Sequence, residues 1–277
     1  MSTIEFSIFK NLSLDNKYAI VTGGFGNIGI KILETLFELN CKVIVIDILN
    51  DNTNKTIKDF EDKFNITRDN QLMFYSADLS DKEEIIKFTN NIKEKYSKID
   101  IIINCAALVN STNLKGWTVP FEEQSMESFD LCMDINAKAP LILFQNLIPL
   151  LKKSDCAKVI NISSIYGAYG NDFNIYEGTN MHSPIAYSVS KSALNIMTKY
   201  LASLYGKDKI CINSIILGGI FRSQNESFVK KYNEKTPLLR MGTENDIKGL
   251  IAYLSSNLSD YMTGQNIPLD GGLTCKV

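Results

Sequence analysis

The sequence predicts a single doubly wound α/β domain, a parallel sheet covered by helices on both faces. Three observations carry that reading. Short apolar, β-branched runs alternate with longer stretches of helical period along most of the chain. The first such run, Tyr18 to Val21, passes into Gly24, Gly26 and Gly29 in the spacing G-x-G-x-x-G, and then into a helical pattern. No Pro/Gly/Ser-rich linker and no internal repeat divides the 277 residues, which favours one domain over two.

Residues 1–17 show no clear period and are expected to lie against the domain edge. After the first strand, a helix opens at Ile28, with Ile32, Leu33, Leu36 and Phe37 on its apolar side. The turn Gly23-Gly24-Phe25-Gly26-Asn27-Ile28-Gly29 can bring backbone N–H groups and a helix N-terminus against a pyrophosphate. Its glycines allow the turn, admit the phosphates and let the helix sit close to the strand. Lys42 to Ile46 is a second strand, with Asp47 at its end. An acid at this distance beyond the glycines can accept both ribose hydroxyls of adenosine and would repel a 2′-phosphate, so it favours NAD over NADP.

Residues 50–70 are rich in Asn, Asp and Lys, with a short helix near Thr56 to Phe64. Leu72 to Tyr75 is the third strand, and Asp78 and Leu79 follow where an adenine edge could be met. Ser80-Asp81-Lys82-Glu83 reads as a capping box. It opens a helix carrying Ile85, Ile86, Ile92 and Tyr96. Ile99 to Ile103 is the fourth strand and runs into Asn104-Cys105-Ala106-Ala107, small residues that permit close approach of a cofactor. The loop 108–121, with Trp117, Pro120 and Phe121, is open to three readings: substrate cleft, exposed lid or core plug. Helical pattern runs from Ser125 to Ala139, breaks before Pro140 and continues to Leu151. Val159 to Ile162 is the fifth strand, ending in Ser163 and Ser164. Tyr187 to Leu204 is a long helix, Ile210 to Ile216 the sixth strand, and residues 218–240 a helical flap. Thr243-Glu244-Asn245-Asp246 caps a helix reaching about Leu258. Asn266 to Leu269 is the last strand.

Composition narrows the function. The net charge of -2 provides no global cationic surface for nucleic acid. No apolar run approaches the roughly 20 residues of a membrane span. The start lacks a signal-peptide pattern, so a cytoplasmic location is the default expectation. The six cysteines form no C-x-x-C and read as buried thiols. His182 is the only histidine, which argues against zinc chemistry and leaves no expected metal site.

Asn136, Ser164, Tyr187 and Lys191 fall where parallel strands end or adjoining helices begin, the side on which such sheets bind ligands. Tyr187 and Lys191 are four apart and share a helical face. A neighbouring ammonium favours the phenolate, so Tyr187 could exchange a proton with a carbonyl or alcohol. Ser164 could bind the substrate oxygen. Lys191 could also hold the nicotinamide ribose, and Asn136 could hold a backbone bend and a water leading to Lys191.

These pieces resemble the short-chain dehydrogenase/reductase family over residues 16–274. The matching motifs are Thr22 to Gly29, Asp78-Leu79, Asn104 to Ala107, Asn136, Asn161 to Ser164, Tyr187 to Lys191, Asn213, Thr263-Gly264-Gln265 and Asp270-Gly271-Gly272. The resemblance implies a Rossmann-like fold with seven strands in the order 3-2-1-4-5-6-7. It implies Ser164, Tyr187 and Lys191 in catalysis, helped by Asn136. It also implies a homodimer or homotetramer built on the helices near 125–150 and 187–204. Three departures stand out. The glycine spacing T-G-x-x-G-x-x-G is similar to the longer, nucleotide-sugar-acting branch, whereas the closing Asp270-Gly271-Gly272 and the length resemble the compact type, which decides the expected fold. The usual Pro-Gly after strand six is Leu217-Gly218, with Arg222 where Thr is frequent, although Ile220 could still serve the carboxamide. Ser164 and Tyr187 are unusually far apart, which places an insertion at 168–186 beside both.

The insertion mixes aromatics with amides and acids, which suits sugar hydroxyls and stacking. Tyr176, His182 and Arg222 are the candidate substrate contacts. The stretch is similar to oxidoreductases of flagellin-modification and nonulosonate-type sugar pathways. The expected function is therefore NAD-dependent interconversion of an alcohol and a ketone on a small polar substrate, such as a sugar, sugar phosphate or nucleotide sugar. Two alternatives are a nucleotide-sugar epimerase or dehydratase with tightly held NAD, and a non-catalytic NAD-binding or assembly protein.

Overall fold

The structure is a computed structural model that describes residues 7–64, 71–109 and 114–276. Seven parallel strands form one sheet in the order β3-β2-β1-β4-β5-β6-β7. The strands are β1 (Tyr18–Thr22), β2 (Lys42–Asp47), β3 (Leu72–Ser76), β4 (Ile101–Asn104), β5 (Ala157–Ser164), β6 (Ile210–Leu217) and β7 (Asn266–Leu269). The helices are α1 (Ile8–Leu12), α2 (Asn27–Glu38), α3 (Asp51–Phe64), α4 (Lys82–Lys95), α5 (Met126–Met133), α6 (Ala139–Leu151), α7 (Ile185–Tyr205), α8 (Glu226–Lys235) and α9 (Lys248–Ser255).

Strand side chains alternate between two apolar layers, as a sheet covered on both faces requires. Val21, Val43, Val45, Ile101 and Ile103 pack with Ile32, Leu33 and Leu36 of α2 and Ile251 and Leu254 of α9. Ile20, Ile44, Ile46, Ile102 and Val159 pack on the other face with Phe88 of α4 and with Leu143, Phe144 and Leu147 of α6. Each fully buried aliphatic side chain contributes about 1.5–3 kcal/mol. The two layers therefore explain why apolar runs with little polar interruption become strands here.

Several local expectations are corrected. A short helix, α1, lies within the segment that shows no period; residues 1–6 fall outside the described residues. The N-cap of α4 is Asp81, whose carboxylate accepts from Glu83 N at 2.8 Å. Ser80 instead donates its hydroxyl to Asp78. A carboxylate one residue closer to the helix wins because it meets the first-turn N–H groups and the positive end of the helix dipole. The helix does not break before Pro140: Asp134–Lys138 forms a π turn joining α5 to α6, and Pro140 sits in the first turn of α6. A proline there gives up an N–H that the first turn can spare. The last helix ends at Ser255, and Asn257–Ser259 is a separate 3-10 turn. Among the cysteines, Cys41, Cys132 and Cys211 are buried, Cys105 and Cys156 are partly so, and Cys275 is exposed. Trp117 is fully buried and donates from Nε1 to Val109 O at 2.9 Å, which makes it a core plug. Residues 110–113 of the same loop lie outside the described residues.

Candidate active site at the carboxyl edge of the sheet

The chain reverses its direction of travel across the sheet between β1 and β4, and the crevice outside their carboxyl ends is where such sheets bind ligands. Thr22 closes β1 and accepts through Oγ1 from both Cys105 N and Ala106 N at 3.0 Å, fixing the two strand ends together. The approach is so close that a Cβ on Gly23, which has φ +64°, would lie 2.7 Å from Ala106 Cα. A Cβ on Gly29 would meet Gly23 O at 2.1 Å, so only glycine lets α2 start against the turn. Gly26 is different. Its Cβ would meet only Gly23 O, at 3.4 Å, and the position faces a cleft of about 360 Å³.

That cleft is lined by Gly23, Gly26, Asn27, Ile28, Gly29, Asp47, Asp78, Leu79, Ala106 and Arg222, among others. Its walls fit a dinucleotide. Gly26 caps α2 without a side-chain hydrogen bond, and the first turn holds no acid, so backbone donors remain for a phosphate. Asp47 accepts from Phe25 N at 2.9 Å and Ile48 N at 2.8 Å, one bond on each oxygen. A carboxylate has about four acceptor positions, which leaves room for two ribose hydroxyls. Burial pushes its pKa up, against the two backbone bonds.

Asn104 is placed differently from the expectation. Its side chain donates to Asn161 Oδ1 at 2.8 Å, and Asn161 donates to Thr198 of α7 at 2.9 Å, so it ties β4 to β5 and the reactive helix. It does not line the cleft, because an amide in a buried strand end needs a polar partner and finds one sideways. Gly218 and Ile220 border a neighbouring cleft of about 140 Å³. The Ile220 carbonyl already accepts from Gln224 Nε2 at 2.7 Å.

Ser164 ends β5, and the next turn is pressed onto α7. A Cβ on Gly167 would lie 2.5 Å from the Lys191 carbonyl carbon. Ser192 and Asn195 donate to Gly167 O at 2.7 and 2.9 Å, and Ser163 donates to Lys191 O at 3.1 Å. This docking closes the long gap in sequence and brings Ser164 near the Tyr187 hydroxyl, where it favours the ionised phenol. Gly167 gave no signal in the sequence, since its need arises only from the packed helix.

The electrostatics of the pair correct the sequence reading. Burial pushes Tyr187 up to about 12, outweighing the effect of Ser164. Burial also brings Lys191 down to about 8. Lys191 Nζ donates to Ile162 O at 2.7 Å and lies 5.6 Å from the centre of the Tyr187 ring, so desolvation sets the direction of both shifts. Asn136 is fully buried in the π turn. It accepts from Leu108 N at 2.8 Å and donates to Ser190 at 3.0 Å, linking the loop after β4 to α7.

Residues 168–186 pack against α8. Tyr166 and Tyr176 share a hydroxyl hydrogen bond of 2.6 Å, and Tyr176 packs 5.2 Å from Phe228 of α8. Lys231 donates to the carbonyls of Asn174 and Glu177, and Lys235 pairs with Asp172. Tyr232 accepts from Gly219 N at 2.6 Å, tying α8 to the segment after β6. Tyr176 and His182 line a cleft of about 500 Å³ between the insertion and Phe121, Gln124 and Ser188. Arg222 is not there: it lines the cleft of the glycine turn, with Nε 3.2 Å from Glu244. Among the described residues no group of three His, Cys, Asp or Glu could hold a metal, and no helix is long and apolar enough to cross a membrane.

A doubly wound sheet with this crevice and a Tyr/Lys helix beside it defines a dinucleotide-dependent oxidoreductase class. Residues 24–274 match the family model described as enoyl-(acyl carrier protein) reductase. The chain belongs to the short-chain dehydrogenase/reductase family of NAD(P)-dependent oxidoreductases. It is 30% identical over 261 residues to post-translational flagellin modification protein A of Campylobacter coli, covering 94% of this chain and 98% of that one. It is 28% identical to a 3-oxoacyl-[acyl-carrier-protein] reductase of Thermotoga maritima, covering 95% and 99%. A short-chain dehydrogenase of Leptospira borgpetersenii, solved with bound NAD+, superposes with a TM-score of 0.82 at 30% identity, covering 99% of this chain and 98% of that one.

Proposed function

We propose that the protein interconverts an alcohol and a ketone on a small polar substrate, with NAD as its cofactor, and that the substrate is a sugar or sugar derivative. The observation that carries this is the gathering of Ser164, Tyr187 and Lys191 in one cluster at the carboxyl edge of a sheet whose glycine turn lines a cleft with Asp47. Bound NAD supplies or takes up the two-electron equivalent at its nicotinamide ring. Asp47 holds the adenosine ribose and disfavours a 2′-phosphate by charge. Gly23, Gly26, Asn27, Ile28 and Gly29 cradle the diphosphate, Asp78 and Leu79 border the adenine, and Ala106 lets the ligand approach. The solved relative from Leptospira, which holds NAD+, supports the cofactor choice.

The residues of the chain divide the remaining work. Ser164 holds the substrate oxygen. Tyr187, kept protonated by burial, gives its hydroxyl proton to that oxygen during reduction and takes one back during oxidation. Lys191 stabilises the resulting phenolate and holds the nicotinamide ribose. Asn136 positions the loop after β4 and the start of α7. Tyr176, His182 and the amides around them meet substrate hydroxyls, and the flagellin-modification relative supports a carbohydrate-linked subgroup. Val189, Ile196, Tyr200 and Leu204 form an exposed apolar stripe on α7 at helical spacing, which supports a homodimer or homotetramer through that helix.

The test is NADH formation or consumption with NAD and NADP in parallel, across neutral, phosphorylated and nucleotide-linked sugars. NAD-linked turnover of a sugar is expected, and Tyr187→Phe should remove it while NAD binding persists. Turnover by Tyr187→Phe within about tenfold of the parent would remove Tyr187 from its role.

A further inference from the structure

We propose that Arg222 is a cationic clamp for the diphosphate of the dinucleotide, and not a substrate contact. The inference rests on the dinucleotide reading above. Arg222 shares the cleft wall with Gly23, Gly26 and Asn27, where the diphosphate belongs. Among the described residues lining that cleft it is the only Lys or Arg, and Asp47 and Asp78 are on the same wall. A dianionic bridge entering beside two carboxylates needs a cation to offset them.

The side chain starts from a fixed base. Phe221 N donates to Gly242 O at 2.9 Å, Arg222 N donates to Gln224 Oε1 at 2.7 Å, and Gln224 Nε2 donates back to Ile220 O. Glu244 engages Nε, so the ion pair leaves the terminal nitrogens as the fork that suits a phosphate. Half-exposure of the pair means that Glu244 can yield to a stronger anion at small cost. Arg222 therefore ties the segment after β6 to the glycine turn when a diphosphate is bound.

The experiment is calorimetric titration of the full chain with ADP-ribose and, separately, adenosine. Arg222→Gln should weaken ADP-ribose by ~10- to 100-fold and leave adenosine within about twofold. Arg222→Lys should fall between, since a lysine supplies charge without the fork. Glu244→Gln, which frees the guanidinium, should bind ADP-ribose as tightly as the parent or more tightly. A loss under about threefold in Arg222→Gln, or an equal loss for adenosine, overturns the clamp. So does a weakening of more than about threefold in Glu244→Gln, which keeps the test decisive if Arg222→Gln fails to fold. A parent chain that binds no ADP-ribose would instead overturn the dinucleotide reading, and the clamp with it.

Discussion

Replacing Gly29 and Gly26 singly by alanine should separate folding from ligand binding at the same turn. A methyl at Gly29 would lie 2.1 Å from Gly23 O and 2.6 Å from both Gly24 C and Gly24 O. All three are backbone atoms of a turn already bonded to β2 through Gly23 N and Ile46 O at 2.9 Å. No side chain can rotate away, so α2 must move, and α2 carries Ile32, Leu33 and Leu36 into the core. Overpacking of this kind costs about 1–3 kcal/mol, and rigid neighbours put the cost at the upper end. At roughly 2–4 °C per kcal/mol for a domain of this size, the melting temperature should fall by about 5–10 °C. A methyl at Gly26 meets one atom at 3.4 Å, so its melting temperature should stay within about 2 °C of the parent. It projects toward the cleft, however, and should weaken ADP-ribose by at least about tenfold. Thermal melts followed by the fluorescence of the single, buried Trp117, together with calorimetric titration, read both effects. The reasoning fails if Gly29→Ala melts with the parent, or if Gly26→Ala is the less stable of the two.

Three further outcomes follow from the geometry. Asn136→Ala strips Leu108 N of its acceptor and Ser190 of its donor, so it should cost about 1–3 kcal/mol in denaturant unfolding and lower kcat by displacing α7. For Lys191, burial sets the pKa at about 8, so the ammonium is present below that pH and lost above it. Reduction should decline as pH rises through about 8, and Lys191→Arg should carry the declining limb to higher pH; a limb that does not move would assign the decline to another group. Burial opposes ionisation of Glu34, but Lys63 at 2.7 Å and Lys31 at 2.9 Å overcome it and hold the carboxyl at about 2, below its ordinary 4.5. Its folded pKa is depressed, so its stabilisation is complete above pH 4.5 and lost as pH falls toward 2. Glu34→Gln should therefore cost more stability at pH 7 than near pH 2 in denaturant unfolding, by an amount that solvent screening of the exposed lysines keeps small.

The elements that read correctly from the sequence are those whose signal is local. Most strands are short apolar runs, and β2, β4, β5 and β6 are rich in Ile and Val. The glycine turn, Asp47 at the end of β2 and Tyr187 with Lys191 one turn apart need only their neighbours to be recognised. What escaped depends on partners distant in the chain. Gly167 must be glycine because Lys191 packs on it, and Asn104 turns to Asn161 because β4 and β5 are adjacent. The π turn around Asn136 carries no propensity signature, for its extra residue is held by bonds to Leu108 and Ser190. Arg222 is a candidate substrate contact by sequence alone, but the path of the chain after β6 turns it toward the glycine turn. The direction of the Tyr187 shift also depended on burial, which the spacing Tyr-x-x-x-Lys cannot report.

The insertion at 168–186 and helix α8 meet through Tyr176 on Phe228, Asp172 on Lys235 and Lys231 on two insertion carbonyls. Neither segment supplies all the partners of the other's polar and aromatic groups. A change in one therefore leaves groups of the other without these partners. A loop grafted from a relative into 168–186 would arrive without its matching α8, leaving Lys231 and Lys235 facing strangers. Exchanging 168–186 for a relative's stretch thus keeps these contacts only if α8, a full strand and the reactive helix further along the chain, is moved with it.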